Sequence, residues 1–232
     1  MKQPYRLVNH LGTGCNGTVF EARFGNGNSY AIKFQYGPES SKRDMSERAR
    51  AEKRNLERLR GVKGIPQRPI TFPGIFGNFD ELGFGDTGIS IRDTYKFDLF
   101  YDNEDELTYG HPLLSELVPN ARHLGPDNKQ PEEFFDELEE IQQEVHKRGL
   151  LLPPDLQILV SDGEPYVVDW HYATNLKKCS RLYRARLTRA DKLGLQKWRK
   201  RYQEGFDEEL PTEVMKAERT LREAFHKGLQ VA

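Results

Sequence analysis

The sequence predicts an α+β fold in two lobes, a mainly β front and a mainly helical back. Three observations carry that expectation. The first forty residues alternate strand-like runs with glycine and asparagine clusters. Two segments, Ser41–Arg60 and Pro131–Arg148, repeat apolar residues at helical spacing. The last sixty residues read as helical, with Pro211 opening a final helix. A chain of 232 residues fits one domain of two lobes or two small domains, and the polar turn at Pro119-Asn120 places the division between residues 1–118 and 119–232.

Each element follows from local chemistry. Tyr5–Leu11, Thr18–Phe24 and Tyr30–Phe34 read as strands, the last two joined by the hairpin turn Gly25-Asn26-Gly27-Asn28. In Ser41–Arg60, Ala49, Glu52, Leu56 and Leu59 share a helical face, and Gly61 is a stop signal. Ile65–Tyr109 is rich in Gly, Phe and Asp and reads as strands with loops, and Pro112–Val118 as an apolar strand. Pro131–Arg148 is acidic and amphipathic, with Phe134, Phe135, Leu138, Ile141 and Val145 on one face and Gly149 at its end. Ile158–Val160 and Tyr166–Val168 flank Asp162-Gly163 and predict a hairpin.

Composition narrows the class. Charged residues make up 31% and hydrophobic residues 36%, with a net charge of −1, so no global field favours a nucleic-acid or membrane partner. Cys15 and Cys179 make no disulfide framework and point to a reducing compartment. No apolar run reaches the roughly 18 residues that span a bilayer. The residues after Met1 form no apolar signal core. The expectation is a soluble, cytoplasmic protein.

Gly12-Thr13-Gly14-Cys15-Asn16-Gly17-Thr18-Val19 matches G-x-G-x-x-G-x-V. A dinucleotide fold would open a helix directly after the glycines, whereas Thr18–Ala22 continues as a strand. Backbone N–H groups freed of side chains can approach phosphate oxygens closely, and an ordinary hairpin turn is the alternative. Ala31-Ile32-Lys33 follows one strand later, and Glu52 precedes Leu56 and Leu59 by four and seven residues. Taken singly, these are also a solvated strand lysine and a charged helix face.

In this order and spacing, the chain resembles eukaryotic-like protein kinases over roughly residues 5–174, and especially short bacterial kinases and lipopolysaccharide-core kinases with a reduced C-terminal lobe. The resemblance implies ATP and Mg²⁺ as cofactors. It places Gly12, Gly14, Gly17, Val19 and Ala31 around the nucleotide, Lys33 on the α- and β-phosphates and Glu52 as the partner that orients Lys33. Leu113–Pro119 resembles the strand entering the hinge, with Ser115 as gatekeeper and the backbones of Glu116 and Val118 on the adenine edge. His146-Lys147-Arg148-Gly149 resembles the segment before a catalytic loop, and Asp169, followed by Trp170-His171, stands at the metal-binding aspartate. Gln157 holds the position of the second metal ligand.

The catalytic loop departs from the family. Where kinases carry His-Arg-Asp, this chain has Leu152-Pro153-Pro154-Asp155-Leu156-Gln157, about two residues short, with Leu152 at the aspartate position when counted back from Gln157. Asp155 is the one acid there, either a shifted base or a turn residue after Pro154. Two readings follow: a weak or atypical phosphotransferase acting on a protein or sugar hydroxyl, and a pseudokinase that binds or scaffolds without turnover.

Lys177–Arg201 holds eleven Lys and Arg, with Asp191 its single acid. Such a helix could meet an anionic lipid, a phosphorylated glycan or nucleic acid, the last not expected here, or pair with the acidic helix Glu132–Glu144. No Ala-Pro-Glu element follows Asp169. His10, His111, His123, His171 and His226 lack metal-ligand spacing. Cys15, inside the glycine run, is a minor candidate for redox modulation.

Overall fold

The computed structural model describes residues 5–14, 17–38, 42–72, 75–77, 107–125, 127–204 and 211–226. They form an α+β structure of nine strands and four α-helices among the described residues. The chain divides into two compact units, residues 1–53 with 67–117 and residues 54–66 with 118–232.

The first unit is an antiparallel sheet. Strands β1 (Tyr5–Gly14), β2 (Gly17–Phe24), β3 (Ser29–Pro38) and β6 (Leu107–Glu116) lie side by side. The short β4 (Ile70–Thr71) and β5 (Phe76–Gly77) both pair with β6. The β2–β3 turn closes through Phe24 N–H to Asn28 O at 2.9 Å, with Gly27 at φ +85° as the tight turn requires. Alternation along β3 puts Ile32, Phe34 and Tyr36 into one apolar cluster with Phe20, Ala22 and Leu114, all buried. Burying one such large side chain contributes about 1.5–3 kcal/mol before conformational entropy is counted. Ala31, Lys33 and Gln35 alternate to the other face. Helix α1 (Lys42–Arg58) buries Ala49 and Glu52 on one stripe, and its last residues from Arg54 onward belong to the second unit. Positions 78–106 of the Gly-, Phe- and Asp-rich stretch, together with Cys15, lie outside the described residues.

The second unit holds the hairpin β8 (Gln157–Ser161) and β9 (Glu164–Val168), widened by β7 (Arg122–His123), and three helices. Helix α2 (Glu132–Lys147) starts after Pro131 and ends at Gly149, φ +79°. Its buried stripe is the expected one, extended by Gln142. The final stretch is helical as α3 (Arg181–Glu204) and α4 (Thr212–His226), preceded by 3₁₀ turns at Trp170–Tyr172 and Leu176–Lys178. Leu151, Leu176, Leu187 and Ala224 form the apolar contact that ties α3 and α4 to the loop after α2. Gly64 marks a close approach: at φ +70°, a Cβ there would stand 2.3 Å from Ile141 Cδ1 and 2.6 Å from the Pro165 carbonyl oxygen. Its own carbonyl accepts from Val167 N–H at 2.8 Å.

Candidate functional site

In the first unit the glycine run is a tight hairpin. β1 and β2 extend through it, pairing Gly12 with Val19, Thr13 with Thr18 and Gly14 with Gly17, so only Cys15 and Asn16 separate the strands. The strand expected at Tyr5–Leu11 therefore runs three residues further. A Cβ on Gly17 would come 2.6 Å from the Phe34 carbonyl oxygen, so β2 can pass β3 only with glycine there. Space around Gly14 is open, so packing does not dictate glycine at that position.

Side chains stiffen this hairpin. His10 Nε2 lies 2.9 Å from Thr13 Oγ1, which lies 2.9 Å from Thr18 Oγ1. Thr18 Oγ1 donates to the Gly12 carbonyl at 3.4 Å, and the Tyr36 hydroxyl donates to the Gly14 carbonyl. Burial holds the His10 imidazole below its ordinary pKa, which favours the neutral ring. Motif reading does not reach Tyr36, which sits 22 residues from the carbonyl it holds.

Cross-strand register sets Lys33 directly opposite Val19 on one side and Leu113 on the other. Lys33 Nζ lies 3.0 Å from Glu52 Oε2. The two side chains are only 14% and 6% exposed, so neither is the solvated charge of the alternative reading. Sequestration on this scale makes each the other's requirement, because an unpaired buried charge costs several kcal/mol. Ala31 occupies the same face of β3, opposite Ser115. Glu116 ends β6, and its N–H already donates to the Gln67 carbonyl at 2.8 Å, so that donor is committed. Its carboxylate accepts from Gln67 N–H at 3.2 Å. Val118 is half-buried just past the strand and belongs to the second unit.

In the second unit, Gln157 opens β8 opposite Val168, and Asp169 follows Val168 directly. These two expected metal ligands therefore stand at one end of the same hairpin. Asp169 adopts the left-handed conformation, φ +64° and ψ +62°, a strained geometry that an Asp tolerates better than most residues. Its Oδ1 pairs with His171 Nδ1, and the His171 ring is fully buried. Trp170 is anchored by its indole N–H to Val167 O at 2.9 Å, and its carbonyl accepts from Asn55 Nδ2 at 2.7 Å. A carboxylate held by a histidine and a rigid 3₁₀ turn has the donor chemistry a hard cation takes. Gln157 offers a neutral amide instead of a second charge.

The loop from Leu150 to Gln157 places its residues unevenly. Leu150 bridges to Asn175, and Leu151 N–H donates to Thr174 O at 3.0 Å. Leu151, Leu152 and Pro153 are buried, whereas Pro154 and Asp155 form an exposed turn. Asp155 therefore stands in an exposed turn after Pro154. Leu152, at the aspartate position, turns its side chain into the interior while its N–H reaches Asp191 Oδ2 at 3.4 Å.

Asp191 is the residue the sequence did not disclose. It is buried on α3, and its Oδ2 also meets His146 Nε2 at 2.7 Å and Gln142 Nε2 at 3.2 Å. Its carbonyl accepts from Gln142 Nε2 at 2.9 Å. One carboxylate thereby joins α2, α3 and the loop. The available signal was the break in pattern, a lone acid among eleven cations.

A search of protein-family models finds none that matches this chain, and a search of curated proteins likewise finds no match. No helix among the described residues is long and apolar enough to cross a membrane.

Proposed function

We propose that the chain is a kinase-like nucleotide-binding protein, a weak or atypical phosphotransferase that uses ATP with Mg²⁺ and passes the γ-phosphoryl group to a protein or sugar hydroxyl. The observation that carries this reading is the Lys33–Glu52 ion pair together with the register that sets Lys33 opposite Val19 of the glycine hairpin. Lys33 would neutralise the α- and β-phosphates, Glu52 would hold its ammonium group, and Gly12, Gly14 and Gly17 would present backbone N–H groups. Asp169 would supply the anionic Mg²⁺ ligand and Gln157 a neutral one. A bound Mg²⁺ supplies charge neutralisation on the phosphate oxygens.

Nothing in this reading needs a strong base. Phosphoryl transfer rests mainly on positioning and charge neutralisation, and general-base help contributes about 10²–10⁴-fold. The exposed turn at Asp155 and the inward-facing Leu152 favour slow transfer, and they also support a second reading, a pseudokinase that binds nucleotide as a switch.

Thermal unfolding with and without ATP·Mg²⁺ tests the proposal. A ligand at a hundred times its Kd adds about 2.7 kcal/mol, which for a chain of this size raises Tm by several degrees. Lys33→Met should abolish that rise, and Glu52→Gln should weaken nucleotide affinity by roughly tenfold or more. The absence of any shift with the wild-type chain refutes nucleotide binding. A shift without ATP consumption on protein or glycan acceptors selects the pseudokinase reading.

A further inference from the structure

We propose that the first half of α3 is a docking surface for an anionic lipid membrane, independently of the nucleotide reading. The structure divides the basic segment into two parts with different fates. In the second part, the Lys197 ammonium group pairs with Glu218 of α4. Arg199 pairs with Glu132, Asp136 and Glu139 of α2. These cations are used internally, as the pairing alternative expects.

The first part is exposed: Lys177 and Lys178 before the helix, and Arg181, Arg184, Arg186, Arg189 and Lys192 within it, all face solvent, although Arg184 Nε also donates to the Leu176 carbonyl at 3.1 Å and the Arg186 guanidinium to Thr220 Oγ1 of α4 at 3.4 Å. The one acid of the stretch, Asp191, is buried and turned toward α2. Of the acids on α4, Glu218 pairs with Lys197 and Glu223 with Arg219 at 3.2 Å, while Glu213 is exposed in its first turn. This surface therefore presents a dense positive field with no acid interleaved.

Helix stability does not account for the arrangement. The first turn of α3 carries no acidic residue, and cations near a helix N-terminus are unfavourable by about 0.3–1 kcal/mol each. At about 3.6 residues per turn, Arg181, Leu182, Ala185, Arg186, Arg189 and Lys192 share one side of the helix. Leu182 is 84% exposed in the middle of these cations, the most exposed large apolar residue described. A phosphate backbone alone makes no use of an exposed leucine. A bilayer interface takes both, with arginines on the headgroup phosphates and the leucine below them.

The test is flotation of the full chain with vesicles. Binding is expected to phosphatidylcholine vesicles containing about 30% phosphatidylserine, not to phosphatidylcholine alone, and to fall as salt rises. Arg181→Gln, Arg186→Gln and Arg189→Gln combined should weaken partitioning on the order of a hundredfold. The control Arg6→Gln, Arg23→Gln and Arg60→Gln, the same charge change at exposed positions elsewhere, should leave binding intact. Leu182→Trp should report insertion by a blue-shifted emission with anionic vesicles only, and it needs no loss of function to be read. Wild-type chain that ignores anionic vesicles overturns the proposal. So does equal loss in the control, or tight salt-dependent binding to single-stranded RNA with no vesicle binding.

Discussion

The ion pair of the first unit and the loop Leu150–Gln157 of the second came from the same family resemblance, yet the structure treats them differently. Lys33 faces Val19 and Leu113 because a strand register converts sequence spacing into position with little freedom, and Glu52 on α1 meets it at 3.0 Å. The loop has no register. Its course is set by partners far along the chain, Thr174 and Asn175 on one side and Asp191 on the other. Motif spacing is therefore a strong guide on a strand ladder. In a short proline-rich loop it is a weak one, because tertiary contacts choose the conformation.

The largest effect that would break this contrast belongs to Asp191. Asp191→Ala leaves His146 and the Leu152 N–H without their carboxylate acceptor in a buried setting and Gln142 with the backbone carbonyl of position 191 alone, and should cost about 3 kcal/mol of stability. Asp191→Asn keeps one acceptor oxygen and should cost less. Urea denaturation measures both. A loss under about 1 kcal/mol for the alanine variant would mean that the loop is held by Leu151, Leu152 and Pro153 alone.

A smaller effect separates the units by pH. Burial pushes the Tyr5 hydroxyl up to about 12, and that hydroxyl has no hydrogen-bond partner. A folded-state pKa above the unfolded value of about 10 means that the unfolded chain releases the proton first. Stability from this group is intact below about pH 10 and is lost as pH rises toward 12, by about 2–3 kcal/mol at most. Tyr5→Phe should remove that alkaline loss and be near neutral at pH 7, since no bond is broken. Tyr202 in the second unit is also raised by burial, but its hydroxyl donates to Leu124 O at 3.0 Å. Tyr202→Phe should therefore cost about 1 kcal/mol at pH 7. Equal costs at the two positions would contradict the difference in their bonding.

Local chemistry made much of the fold legible. Gly27 and the pair Asp162-Gly163 supply left-handed turn positions that few other residues adopt, and both hairpins form there. The apolar stripe of α2 is readable because Phe134, Leu138, Ile141 and Val145 follow one another at three or four residues, one helical turn apart. Illegible were contacts with no local signature. The β7 pairing uses two residues, Arg122 and His123, that carry no strand pattern. The Leu150–Asn175 bridge spans 25 positions. In the candidate site, spacing points to Lys33 with Glu52 but not to the tie between Asp169 and His171, since the histidines carry no metal-ligand spacing. Asp191 was hidden because nothing in a basic helix says which residue turns inward.

The smallest expected effect tests what remains of the proton-handling half. Asp155 is an exposed turn residue, so Asp155→Asn should change stability by less than about 1 kcal/mol and leave the ATP·Mg²⁺ thermal shift unaltered. Any ATP consumption should persist within about threefold, since an exposed carboxylate in a turn contributes little to a reaction governed by positioning and charge neutralisation. A drop of roughly a hundredfold at constant nucleotide affinity would instead make Asp155 the general base. That outcome would require the Pro153-Pro154 turn to present its carboxylate to the acceptor hydroxyl, and the loop would then hold chemistry that neither its spacing nor its burial announces.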